Sequence, residues 1–223
     1  PLPLYYVIRA CLNPSFITPA IPTRSFWDAT FAVQSHGSFL ETVRVNLWEG
    51  QIASLAWAWD HGRVFQTAAL FLLGMLIGRR GLFQKENLKV WNKILAGALI
   101  AFFPLYGLGN MLPAFIVNKS ILTPLSLIIT SLSNFSFMLV LVSGVIFAFY
   151  NTNMHYLLMK ITPYGKMSLT NYITQSIVGS MLYYNWGFAL HNQCGITVSC
   201  LAGIAFFILQ FTFCRWWMSH HSH

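Results

Sequence analysis

The stretch Ile94-Leu-Ala-Gly-Ala-Leu-Ile-Ala-Phe-Phe-Pro-Leu-Tyr-Gly-Leu-Gly-Asn-Met-Leu112 decides the fold, because it contains no charged side chain. Lipid offers no partner to backbone N–H and C=O groups, and each one left unsatisfied costs several kcal/mol. An apolar run of about 20 residues therefore reads as a helix crossing a bilayer. Four more runs read the same way: 63–78, ended by Arg79 and Arg80, then 133–150, 167–190 and 195–217. Composition agrees along the whole chain, which is 56% hydrophobic and only 8% charged, against about 25% charged in soluble domains. With a mean hydropathy of +0.59 and no polar half, the chain leaves no room for a separate soluble domain.

The predicted fold is all-α: a polytopic integral membrane helical bundle of about five complete transmembrane helices, a truncated N-terminal one and an outer amphipathic helix. Residues 1–60 hold the truncated span and an extracytoplasmic, interfacial segment, and residues 61–223 the membrane helical domain. The truncated span is the apolar opening 2–12, about half the length a crossing needs. The chain starts at Pro1, without an initiator Met or signal peptide, and its true N-terminus is expected upstream. Residues 111–130 are apolar but contain Pro113 and Pro124, which predicts a re-entrant or surface-lying segment.

Lys and Arg set the orientation, because short cytoplasmic loops retain them. Arg79, Arg80, Lys85, Lys89 and Lys93 fall between the first two spans, only Lys119 between the second and third, Lys160 and Lys166 between the third and fourth, and Arg215 at the end. This alternation predicts a multi-pass protein of the bacterial cytoplasmic (inner) membrane with residues 81–92, 151–165 and the C-terminus in the cytoplasm. The region 13–60 is then outside, carrying Asp28, Glu41, Glu49 and Asp60 beside Arg24 and Arg44. Between 39 and 58, Phe39, Val43, Leu47, Ile52 and Leu55 recur at helical spacing, with Trp48, Trp57 and Trp59 suited to headgroup level. The net charge of +8 is scattered around apolar spans rather than gathered on one face, so topology explains it and nucleic acid is not a predicted partner.

Arg63 and Gln66 stand one helical turn apart, preceded by Asp60 and His61, and these four can line one polar pocket. The simpler reading is an interfacial Arg63 anchored by Asp60. The span 167–190 is unusually polar, with Ser168, Asn171, Tyr172, Gln175, Ser176 and Ser180 at three- and four-residue spacing. Such a band either glues helices together or orients a substrate, and Asn and Gln would bind rather than act as acid or base. Gly74 and Gly78 give a spacing that permits close helix approach. His36 and His191 are ordinary surface residues or general bases, and His220, His221 and His223 form a tail able to bind metal weakly. Cys11, Cys194, Cys200 and Cys214 lack ligand spacing and read as small apolar side chains, with a Cys11–Cys194 disulfide as the alternative in an oxidising compartment.

Two segments carry a family resemblance. Gly37-Ser-Phe-Leu-Glu-Thr-Val-Arg-Val-Asn46, followed by Gly62-Arg-Val-Phe-Gln-Thr67 and Phe71-Leu-Leu-Gly-Met-Leu-Ile-Gly-Arg79, resembles the bacterial YeiB-like family, known as domain of unknown function 418. Tyr164-Gly-Lys-Met-Ser-Leu-Thr-Asn-Tyr-Ile-Thr-Gln-Ser176 looks like that family's most recognisable run. The resemblance extends over roughly residues 37–217 and reaches further, to the transmembrane acyltransferases. It implies transfer of an acyl group to an extracytoplasmic, glycan-like acceptor, with acyl-CoA as a transient donor and no permanently bound cofactor. The family's Asp-x-x-Arg-Gly-like motif and its Gly-Pro-Leu-Glu run are absent from this chain, so no catalytic residue is carried over. Substrate-binding candidates are Arg63, Gln66, Asn171, Gln175, Asn46, Asp60 and His61. A membrane transporter and a non-catalytic scaffold are the competing readings.

Overall fold

The computed structural model describes residues 2–13, 15–17 and 23–221, and all regular structure among them is helical. The helices are α1 (Leu2–Leu12), α2 (Thr23–His36), α3 (Phe39–Val45), α4 (Gln51–Asp60), α5 (Arg63–Arg79), α6 (Leu88–Phe115), α7 (Lys119–Tyr150), α8 (Thr152–Lys166), α9 (Ser168–Tyr183) and α10 (Ile196–His220). Three are long and apolar enough to cross a membrane: Lys85–Phe115, Lys119–Tyr150 and Ile196–His220. The pair Phe39–Asp60 and Arg63–Arg79, bent by 75°, adds a fourth if it counts as one span. The fourth sequence run yields only the 16 residues of α9, about 24 Å of helix against a hydrocarbon core of about 30 Å.

Contacts gather the chain into two compact units, Pro1–Thr23 with Ser54–Asn151, and Arg24–Ala53 with Thr152–His223. The first is built on α6 packed along α7, with α1 against α7. Small residues make this packing close. Ala98 of α6 is buried, as are Ser133, Ser136 and Ser143 of α7, and Ser136 and Ser143 return their hydroxyl protons to the Leu132 and Leu139 carbonyls. Phe102 meets Phe137 with ring centroids 5.3 Å apart. Association inside lipid depends on such van der Waals contact, because lipid tails are as apolar as the side chains.

That packing corrects the expectation for residues 111–130. They are not a separate re-entrant segment: α6 runs through Pro104 and Pro113, and α7 through Pro124. A proline inside a helix costs about 3 kcal/mol. Pro124 is fully buried in the first unit, so contact along a long helix offsets the missing hydrogen bond. At the other end of the unit a tight loop joins α5 to α6. Gly81 takes a left-handed φ of 60°, Asn87 Nδ2 donates to the Gly81 carbonyl at 3.0 Å, and the fully buried Trp91 donates to the Leu82 carbonyl at 2.7 Å. The Tyr150 hydroxyl donates to the Phe83 carbonyl at 2.7 Å, tying the C-terminal end of α7 to the same loop.

Other expectations change as well. Residues 151–165 are not a loop but most of α8, whose apolar Met154, Leu157, Leu158 and Ile161 fall at helical spacing. Gly74 and Gly78 face open space, with nothing within 4 Å of where a Cβ would sit, so no helix uses their close-approach spacing among the described residues. The expected helix from Phe39 onward forms, beginning with a capping box in which Ser38 and Glu41 satisfy each other's backbone N–H. A π turn, Asn46–Gly50, interrupts it.

The second unit contains α2, α3, α8, α9 and α10. Its α9–α10 connection is held by Asn185, whose N–H donates to the Gln34 carbonyl at 2.9 Å and whose Nδ2 donates to the Gly37 carbonyl at 3.4 Å. Gly187 is required there, because a Cβ would run into the Met181 carbonyl.

Candidate functional site

The first unit holds an open groove of about 700 Å³ between α5 and α7, within the 300–1,000 Å³ usual for ligand sites. Leu70 and Leu73 of α5 face Ile128, Leu132 and Phe135 of α7 across it, while His61 and Gln66 supply polar groups. Lining positions on each helix extend over about 12 Å, at 1.5 Å per residue. A second pocket of about 360 Å³ shares Pro3, His61 and Leu127 with the groove and adds Asp60, Lys119 and Thr123. His61 thus stands where an apolar slot meets a polar one.

Local backbone geometry places these groups. Gly62 adopts a left-handed φ of 64° between α4 and α5, a conformation that costs glycine no Cβ clash, and Pro3 would lie only 3.4 Å from an added Cβ. The chain turns there, bringing Asp60 and His61 at the end of α4 beside the start of α5. His61 Nδ1 lies 2.9 Å from the Trp57 carbonyl. A carbonyl can only accept, so Nδ1 carries the proton and the neutral ring keeps Nε2 as an acceptor. The His61 ring also stacks on Trp57 with centroids 4.7 Å apart.

Arg63 does not pair with Asp60 among the described residues. Its Nη1 donates to Gln66 Oε1 at 3.0 Å, and its guanidinium lies 5.8 Å from the Trp57 ring centroid. This hydrogen bond holds the Gln66 carbonyl oxygen, leaving the amide NH₂ as the group able to donate toward a ligand.

Asn171 and Gln175 belong to the second unit, where α8, α9 and α10 share a polar network. Gln175 Nε2 donates to Gln210 Oε1 and to the Tyr164 hydroxyl, both at 2.9 Å. The Tyr164 hydroxyl donates to Gln210 Oε1 at 3.4 Å, and Gln210 Nε2 to the Asn171 carbonyl at 3.2 Å. Asn171 Nδ2 donates to the Tyr164 carbonyl at 3.1 Å, while Asn171 Oδ1 accepts from Cys214 Sγ at 3.3 Å. Asn171, Gln210 and Cys214 are buried. The other polar residues of α9 bond their own helix: Ser176 donates to the Tyr172 carbonyl and Ser180 to that of Ser176.

Sequence reasoning overlooked Gln210 and the polar role of Cys214. The available signal was a lone amide within an otherwise apolar span, which lipid would penalise unless another helix answered it. All four cysteines are free, and only Cys214 is buried. Asn46, half-buried, opens the π turn. His191 donates Nδ1–H to the Tyr183 carbonyl, His221 stacks on Trp217, and the His220 ring is tilted against Trp216. His223 lies outside the described residues.

Comparison with known proteins matches residues 77–223 to the family described as protein of unknown function (DUF418). This stretch includes the Tyr164–Ser176 run and begins after the Gly37–Asn46 run. A protein of Bacillus subtilis (strain 168), described as uncharacterized protein YxaH, is 29% identical over 77 residues, which make up 34% of this chain and 19% of that relative. No solved structure matches. With the family pattern extending over most of the chain and through its long apolar helices, the protein belongs to the DUF418, or YeiB-like, family of membrane proteins.

Proposed function

We propose that the chain is part of a membrane acyltransferase that moves an acyl group from acyl-CoA to an extracytoplasmic, glycan-like acceptor. The observation that carries this reading is the α5–α7 groove, an apolar slot that ends at His61 and Gln66. Its walls suit an acyl chain, while an imidazole and an amide at the mouth suit the acyl carbonyl and an attacking hydroxyl. His61 Nε2, left as an acceptor by the Trp57 contact, takes the acceptor's hydroxyl proton as the new ester C–O bond forms. The thioester C–S bond breaks and the departing thiolate takes up that proton. Gln66 orients the acyl carbonyl through its NH₂, and Arg63 holds Gln66 in place. The inner membrane location and cytoplasmic C-terminus predicted from charge alternation belong to the same proposal.

The experiment is acyl incorporation from labelled acyl-CoA by the full-length protein in membranes. Incorporation should fall at least tenfold in His61→Gln and several-fold in Gln66→Ala and Arg63→Ala. Wild-type incorporation retained in all three would remove these residues from the mechanism. Substrate flux in proteoliposomes without chemical change would favour a transporter instead.

A scaffold reading is favoured for one part of the chain by a separate observation. The amides of Asn171 and Gln175 are already engaged by Tyr164, Gln210 and Cys214, which suits helix packing better than substrate binding.

A further inference from the structure

The polar pocket beside the groove, which Tyr6 also lines, contains opposite charges that form no ion pair with each other among the described residues. The half-buried Asp60 carboxylate and the exposed Lys119 ammonium both line it. Neither has a hydrogen-bond or ion-pair partner among the described residues. The pocket lies where α5 and α7 begin, the end of this unit opposite the basic loop between α5 and α6. Because α6 and α7 are long and apolar enough to span the membrane, this end stands at headgroup depth, and the groove descends from it toward hydrocarbon.

We propose that this site holds a zwitterionic aminophospholipid, with its ammonium on Asp60, its phosphate on Lys119 and one acyl chain in the α5–α7 groove. Charge complementarity selects the headgroup. A phosphate alone satisfies Lys119 but leaves the carboxylate facing another anion, whereas an ethanolamine headgroup carries both signs a few bonds apart. The Thr123 hydroxyl lines the same pocket and is an additional donor to phosphate oxygen. A quaternary choline has the charge but no N–H, so it cannot hydrogen-bond the carboxylate. Pro3, His61 and Leu127 border both cavities, and one amphipathic molecule can therefore occupy the two together.

This inference rests on the acyl-chain reading of the groove but not on transfer, so lipid retention and acyl incorporation can fail separately. The test is native mass spectrometry of the purified full chain after exchange into vesicles of equal phosphatidylethanolamine, phosphatidylglycerol and phosphatidylcholine, without acyl-CoA. Wild type should retain phosphatidylethanolamine at least fivefold over each of the others. Asp60→Asn should bring the ethanolamine-to-glycerol ratio near one, Lys119→Gln should weaken both, and Ala69→Trp, which fills the groove from an exposed position, should remove both. Equal retention of the three lipids by wild type overturns the proposal, whether or not any variant folds. An unchanged ratio in folded Asp60→Asn does the same.

Discussion

Gln175 of α9 donates to Gln210 of α10 across 2.9 Å, and the Tyr164 hydroxyl of α8 meets both side chains. Three helices therefore share one polar junction within otherwise apolar surroundings. Replacing Gln210 by Leu removes one of the two partners of the Gln175 amide and the side-chain donor to the Asn171 carbonyl, and each such hydrogen bond is worth about 0.5–1.5 kcal/mol net. Gln175→Leu/Gln210→Leu should cost less than the sum of the two single changes. Denaturant unfolding in detergent, followed as a double-mutant cycle, reads this coupling, and strict additivity would show that the junction does not act as a unit.

Gly187 packs its backbone against the Met181 carbonyl without room for a side chain. Gly187→Ala must displace the α9–α10 turn, with an expected loss of about 1–3 kcal/mol from overpacking. Gly195→Ala, in the same connection but with nothing within 4 Å of its Cβ position, is the control and should be close to neutral. Thermal unfolding of the two variants side by side makes the comparison.

Trp91 is fully buried and bonded to the Leu82 carbonyl at 2.7 Å. Trp91→Phe keeps an aromatic ring but orphans that carbonyl, with an expected loss of about 1–3 kcal/mol. The loop should open locally before the unit unfolds, so tryptic cleavage at Arg79, Arg80 or Lys85 should accelerate. An unchanged cleavage rate would mean that the Trp91 hydrogen bond does not hold the loop.

The Glu41 carboxyl, outside the long apolar helices, is held below its ordinary range first by the Ser38 backbone N–H and then by the Ser38 hydroxyl. A depressed carboxyl pKa makes the cap fully effective above the unfolded-state value, and its contribution is lost as pH falls through the folded value. Ser38→Ala should raise the Glu41 titration midpoint by removing the hydroxyl contact while leaving the backbone one. Carbon-detected NMR titration of the carboxyl checks the direction, and a midpoint that stays or falls contradicts it.

Much of the architecture was legible in the chain itself, because lipid penalises every unpaired backbone group. Uncharged runs such as 94–112 had to become helices, and the apolar side chains recurring at helical spacing from Phe39 to Leu55 had to form an amphipathic one. The Asp60, His61 and Gln66 cluster was also readable, since neighbours in sequence around one turn remain neighbours in space. Tertiary contact decided what local pattern could not. Pro124 remains inside α7 because its buried surface offsets a lost hydrogen bond, and Gly74 and Gly78 meet no partner despite their spacing. Gln210 reaches Asn171 and Gln175 across 35 or more positions in sequence, a pairing that depends on how α9 and α10 are rotated about their axes. That rotation is set by packing, not by the hydropathy that made each one a helix.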